Sequence, residues 1–233
     1  MPSTVRQMTL PDLPARVQAE LDWSLEHSVW LNQNLSETFD LTDDPVRDRL
    51  TMAFMNIALD HREGLIALVA LNARSSVMAL ARSILDATVR GLWVRRVPDK
   101  ALIERFLAGH SVGMPGMLSR LKKLGFQGTD GLQRVFSMLS DFAHGEARQV
   151  QRWIANDAIE PRHRDSEMVE MLCMADQLGM VAALERESLA GGGRVPLFEK
   201  KTAEVVSRFR RVHEELLKES DPDNFESTVP KSG

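Results

Sequence analysis

Apolar residues recur every three or four positions along most of the chain, a spacing that predicts helices. No run alternates with period two over a useful length, and β-branched residues do not cluster, so no strand is predicted. The fold class is therefore all-α: an antiparallel bundle of about seven or eight helices, with no sheet. The helical segments are 12–39, 45–71, 75–97, 98–110, 115–124, 130–144 with its continuation 148–155, 167–189 and 198–217.

The ends of several helices are marked by residues that stop or start a helix. Asp44 and Pro45 form a capping carboxylate followed by proline, which favours a helix start. Gly125 followed by Phe126 is typical of a left-handed C-cap with an apolar contact.

Segment 167–189 is apolar on nearly all sides, so we expect it to be the central helix of the bundle. Cys173 lies in this segment and is therefore predicted to be a buried, unreactive thiol.

Length and composition indicate one globular domain. Of 233 residues, 43% are hydrophobic and 27% charged. We expect a flexible N-terminus at 1–11, a single helical domain at 12–218 and a disordered tail at 219–233.

Charge and cysteine content bear on partners and location. The net charge of −4 gives no bulk attraction to nucleic acid, although it does not argue against a local basic patch. A single cysteine, with no secretory signal and no apolar run long enough for a membrane span, predicts a cytoplasmic location and no membrane contact.

Ionisable residues interrupt otherwise apolar helices at two places. Arg82, Asp86 and Arg90 are spaced four apart and so stack along one helical face, surrounded by apolar residues. If that face is buried, its charges need partners, because isolated buried charge is costly. The stack is either an internal ion-pair ladder that fixes helix register or part of a catalytic or ligand-binding site.

The second place is the end of the helix at 130–144. Asp141 and His144 are three apart, so a carboxylate could orient the imidazole for catalysis. His144 could equally be a C-capping residue.

Asp60, His61, Arg62 and Glu63 form a further polar cluster inside an apolar helix. If the cluster faces the arginine helix, Glu63 or Asp60 would neutralise an arginine, and His61 and Glu63 are the candidate ligand-binding residues. Otherwise the cluster is a solvated stripe.

A metal site is not predicted. Asp141 and His144 mimic half of the Glu-x-x-His pattern of di-iron bundles. The only other carboxylate three residues before a histidine is Glu160, before His163, in a proline-containing loop. Phosphate-binding and dinucleotide-binding loops are also absent from the sequence. We therefore predict no metal and no cofactor.

Two motifs carry a resemblance to a known group. Segments 82–93 and 138–145 resemble bacterial helical domains in which an Arg-rich helix precedes a Leu-Ser-x-x-x-His-Gly-like motif. These are similar to the HEPN group, which is common in prokaryotic toxin and phage-defence systems, over roughly 44–154. The resemblance implies a helical bundle, often dimeric. In active HEPN members it also implies a metal-independent ribonuclease with an arginine and a histidine four to six residues apart in one helix.

The chain departs from that spacing. Arg134, the nearest upstream arginine in the same predicted helix, is ten residues from His144, which is about 15 Å along the helix and about 80° off its face. An Arg–His site must then combine two helices, with Arg82 or Arg90 opposite His144 and with Asp86 or Asp141 orienting them.

The sequence thus leaves two functions open. The first is a HEPN-like ribonuclease or another nucleic-acid-acting stress or phage-defence protein. The second is a noncatalytic helical domain that binds a partner protein or a small anionic ligand. The expected partners are RNA or a small anion, and a second copy of the chain in a homodimer.

Overall fold

The computed structural model describes residues 10–37, 39, 45–96, 100–110, 112–126, 129–143 and 163–219. Within these ranges the secondary structure is all helical, with no strand, which confirms the all-α prediction. The helices are α1 (Ala15–Asn34), α2 (Pro45–Ala70), α3 (Arg74–Arg96), α4 (Lys100–Leu107), α5 (Met114–Lys123), α6 (Thr129–Ala143), α7 (Asp165–Leu189) and α8 (Val195–Glu219).

Several predicted segments fall outside the described residues. These are the predicted helix at 148–155, most of the predicted flexible N-terminus and nearly all of the predicted tail. None of the helices in the described ranges has an apolar stretch long enough to cross a bilayer.

Helix α7 is the central helix, as predicted. It packs against α1, α2, α3 and α8, and more than half of its residues are buried. Its N-terminus is capped by the side chain of Glu167, which accepts a hydrogen bond from the Arg164 amide at 3.1 Å. The negative charges of Asp165 and Glu167 in this first turn also interact favourably with the positive end of the helix dipole. The apolar side chains of α7 therefore form the middle of the core.

Helices α2 and α3 form a tight antiparallel hairpin. Asn72, with φ of 55°, makes the turn, and the Ala73 amide donates to the Leu68 carbonyl at 2.8 Å. Gly91 allows the two helices to approach, since a Cβ at this position would lie 2.5 Å from Met55 Cε. The hairpin presents the outer faces of α2 and α3 side by side.

Helix α5 ends as its sequence predicts. Gly125 has φ of 87°, and the Phe126 amide donates back to the Leu121 carbonyl at 3.0 Å. The Phe126 ring then lies under the Arg96 guanidinium, 5.9 Å from its centre. The left-handed cap thus fixes α5 against the C-terminal end of α3.

Helix α1 is shorter than its apolar pattern predicts. The prediction extends to about Phe39, but the helix ends at Asn34 and Leu35 is already extended. The buried Glu187 carboxylate accepts hydrogen bonds from the Ser36 amide at 2.6 Å and from the Ser36 hydroxyl at 2.7 Å. Because these contacts hold the backbone in an extended form, they replace the next helical turn.

Candidate functional site

The arginine-rich face of α3 is only half-buried. Asp86 and Arg90 pair at 2.6 Å, with 27% and 22% of their side chains exposed. The i,i+4 spacing therefore gives a local ion pair, and Arg90 also lies 6.0 Å from the centre of the Phe106 ring of α4. Because about a quarter of each side chain is still exposed to water, this i,i+4 pair contributes only modestly to stability.

Arg82 does not join that pair. It points to α6, where its Nε donates to the Ser140 hydroxyl at 3.1 Å. Its guanidinium lies over the Phe136 ring, 4.8 Å from the ring centre. Ser140 in turn donates its hydroxyl proton to the Phe136 carbonyl at 2.8 Å. Arg82 is thus held in one orientation by two residues of α6.

The predicted partners of Arg82 at the end of α6 lie outside what is described. His144 is outside the described ranges, and although Asp141 belongs to α6, its side chain is also outside them. Whether Arg82 and His144 meet therefore stays a prediction. In the chain, Ser140 precedes His144 by four residues.

His61 and Glu63 lie on α2, away from the arginines of α3. Glu63 is exposed and accepts a hydrogen bond from Ser28 at 3.0 Å. It also pairs with Arg62. The idea that Glu63 neutralises an arginine of α3 is therefore wrong, because its hydrogen bonds go to α1 and to its own helix. His61 is half-buried.

A buried polar cluster that the sequence analysis did not identify centres on Arg62. The Arg62 side chain is 0% exposed, and its Nε donates to Asp176 Oδ1 at 3.0 Å. One terminal nitrogen also pairs with Asp176 and donates to the Ser24 carbonyl at 3.0 Å. The other donates to the Ser28 hydroxyl at 2.8 Å and pairs with Glu63. All the donor positions of the guanidinium are used, which makes its burial tolerable.

Asp176 and His27 complete this cluster. Asp176 accepts a further hydrogen bond from the Ser24 hydroxyl at 2.7 Å. Burial by itself raises the pKa of Asp176, but its contacts to Arg62, His27 and Ser24 bring that pKa below its ordinary value. The group therefore stays ionised at neutral pH, as the counter-ion of Arg62.

His27 is neutral in this environment. Burial lowers its pKa below the ordinary value and outweighs the opposing effect of Asp176. His27 Nδ1 lies 3.2 Å from Asp176 Oδ1, and Nε2 lies 3.0 Å from Met180 Sδ. A neutral ring protonated on Nδ1 donates to the Asp176 carboxylate, and this hydrogen bond helps to lower the pKa of Asp176.

The Arg62 cluster joins α1, α2 and α7, and its central groups are shielded from solvent. A substrate cannot reach them without opening the core. We therefore assign the cluster to the structure of the bundle and leave the α3–α6 face as the candidate functional site.

The apolar periodicity of α2 indicates that Arg62 lies on the buried face of the helix. Met55, Ile66 and Val69 are buried residues seven before, four after and seven after Arg62, so all share its face. Asp60 and Glu63 lie on the outer side of the helix. Treating 60–63 as one polar cluster concealed the inward position of Arg62.

Cys173 is buried, as predicted. Its thiol donates to Glu20 Oε1 at 3.3 Å, and burial is the main cause that raises its pKa. Arg208 binds both oxygens of Glu20, at 3.0 and 2.7 Å. A thiol kept protonated in this way is a poor nucleophile. Among the described residues, no three His, Cys, Asp or Glu side chains group together as metal ligands.

Residues 55–212 match DUF6988, a family of unknown function. The chain belongs to this family. The part that matches DUF6988 contains Arg62, Asp176 and the whole α3–α6 face, whereas α1, with Ser24 and His27, precedes it. No curated protein and no solved structure matches the chain. Membership of DUF6988 assigns no activity, and the HEPN relationship stays a prediction.

Proposed function

We propose that the chain is a helical binding module whose α3–α6 face takes up an anionic ligand through Arg82. One observation carries the proposal. Helix α3 contains five arginines, and in the part of the chain that the structure describes, Arg82 is the one that has no carboxylate partner.

The other four arginines of α3 are neutralised. Arg90 pairs with Asp86 in its own helix. Arg74, Arg95 and Arg96 pair with carboxylates on other helices: Asp165 at 2.8 Å, Asp48 at 2.8 Å and Glu185, respectively. Three of these pairs join helices, and the four pairs together offset four of the five positive charges. The charge of Arg82 is left for a ligand.

The geometry around Arg82 suits an anion. Its Nε is used by Ser140, and one face of its guanidinium lies on Phe136. Among the described residues no group bonds to its two terminal nitrogens, which form a planar fork, the arrangement that binds carboxylate or phosphate oxygens through two parallel hydrogen bonds. Because the side chain is already held in place, ligand binding costs less conformational entropy.

Arg82→Ala is expected to weaken anion binding about tenfold or more, since hydrogen bonds to charged groups contribute roughly 1.5–3 kcal/mol. Binding would be measured by calorimetry with inorganic phosphate and by fluorescence anisotropy with labelled single-stranded RNA. Arg82→Lys should also weaken binding, because a lysine ammonium cannot form the fork.

Arg134→Ala is the matched control for Arg82→Ala. Arg134 is an exposed arginine of α6, so its removal changes net charge equally without touching the fork. We expect it to leave phosphate affinity within about threefold of wild type. Equal affinity in wild type and Arg82→Ala would contradict the proposal, as would an equal loss in both variants.

A ribonuclease is the second candidate function. It is favoured by the contact of Arg82 with Ser140, because Ser140 precedes His144 by four residues. In this proposal His144 acts as general base or acid, and Arg82 stabilises the negative charge that develops on the phosphate. Asp86 or Asp141 orients them.

His144→Ala is expected to reduce RNA cleavage by about a hundredfold or more, the usual contribution of a general acid or base. Cleavage of labelled single-stranded RNA would be followed with EDTA present, because the proposed reaction needs no metal. His110→Ala is the control, since His110 is exposed in the loop that follows α4. Equal cleavage by wild type and His144→Ala would exclude the catalytic role and leave the binding module.

A further inference from the structure

The outer face of α2 carries an apolar stripe. Val46 and Ile57 are 52% and 42% exposed, and Ala53 is also exposed between them. With about 100° of rotation per residue, these three side chains fall within an arc of about 40°. The stripe from 46 to 57 is thus about 17 Å long. Gly64 continues the same line but is covered by Leu80 of α3, since a Cβ at this position would lie 3.1 Å from Leu80 Cδ2.

The opposite side of α2 already packs in the core. Met55, Arg62, Leu65 and Ile66 are buried against the hairpin partner α3 and against α1 and α7. Single exposed apolar residues need no explanation, but an apolar line along one helix indicates a contact surface.

Two opposite charges flank the stripe on the same side. Arg49 and Asp60 are both exposed, and neither forms an ion pair among the described residues. Arg49 lies near the start of the stripe and Asp60 near its end. When a copy of the helix runs in the opposite direction, its Asp60 comes beside Arg49.

We propose that the α2 stripe is the interface with a second copy of this chain, in which the two α2 helices pack antiparallel about a two-fold axis near residue 55. A two-fold axis makes each contact occur twice. In this register Arg49 faces the partner's Asp60. Parallel pairing about a two-fold axis would place the charges of the two copies on opposite flanks of the contact, so that neither Arg49 nor Asp60 would meet an opposite charge.

The same register matches large side chains with small ones. Ile57 of each copy lies opposite the partner's Ala53. Large residues facing small ones allow two helices to approach closely. The proposal therefore rests on two independent features of the stripe, its charge pattern and its shape.

Ile57→Asp tests the interface. Wild type is expected to be a dimer at tens of micromolar in sedimentation equilibrium, and Ile57→Asp a monomer, because two carboxylates would be placed in the apolar contact. Leu217→Asp is the matched control, since Leu217 is 59% exposed on α8; this variant should remain dimeric. Thermal melting followed by circular dichroism checks that both variants are folded.

Charge reversal tests the register. Arg49→Glu alone and Asp60→Arg alone should each weaken the dimer several-fold, and the double variant should return it to within about threefold of wild type. A monomeric wild type, a dimeric Ile57→Asp or a monomeric Leu217→Asp would overturn the interface. Failure of the double variant to recover would overturn the antiparallel register.

Discussion

Asp176→Ala is expected to lower the free energy of unfolding by about 3–5 kcal/mol, the usual cost of leaving one partner of a buried ion pair without the other. Asp176 is the buried counter-ion of Arg62 and also accepts from Ser24. Alanine removes both acceptor oxygens, so a fully buried guanidinium loses its neutralising charge. Urea unfolding at pH 7 would measure the loss.

Glu63→Ala is the matched control for Asp176→Ala. Glu63 contacts the same guanidinium, but 48% of its side chain is exposed. Water can replace its oxygens, so we expect a loss of about 1 kcal/mol or less. Similar losses in the two variants would contradict the view that burial makes Asp176 the essential partner of Arg62.

Gly179→Ala is expected to destabilise the protein by about 1–3 kcal/mol, the usual cost of extra volume in a packed core. A Cβ at position 179 would lie 2.5 Å from Arg62 Cδ. The Arg62 side chain cannot move aside freely, because its hydrogen bonds hold it at the far end. Thermal unfolding would show a lower midpoint.

Gly131→Ala controls for the loss of glycine itself. Gly131 lies in the first turn of α6, and a Cβ there would meet nothing within 4 Å. Because alanine is favoured over glycine in a helix, this variant should be stabilised by about 0.4–1 kcal/mol. If Gly179→Ala were also neutral or stabilising, the close packing of Arg62 on α7 would be contradicted.

Much of the local structure of this chain could be predicted from its sequence. The cap at Gly125 and Phe126 and the central position of α7 follow from turn chemistry and apolar spacing. The pairing of Asp86 with Arg90 follows in the same way from spacing within one helix. Each depends on residues close together in the chain.

The polar contacts between helices could not be predicted. Helical phase alone places Arg62 inward, but nothing in one sequence selects Asp176 as its partner across 114 positions of the chain. Likewise, apolar spacing extends α1 past Asn34, because the carboxylate that captures Ser36 belongs to α7. The orientation of Arg82 toward Ser140 is also a contact between helices.

The separation between Arg62 and its counter-ion affects how the protein can fold as it is synthesised. Arg62 leaves the ribosome long before Asp176 does, and until then its positive charge must remain hydrated. The α2–α3 hairpin can form early, but the side of α2 that carries Arg62 cannot be buried before α7 has been synthesised and packs against it. Closure of the core is therefore a late step that requires nearly the whole chain.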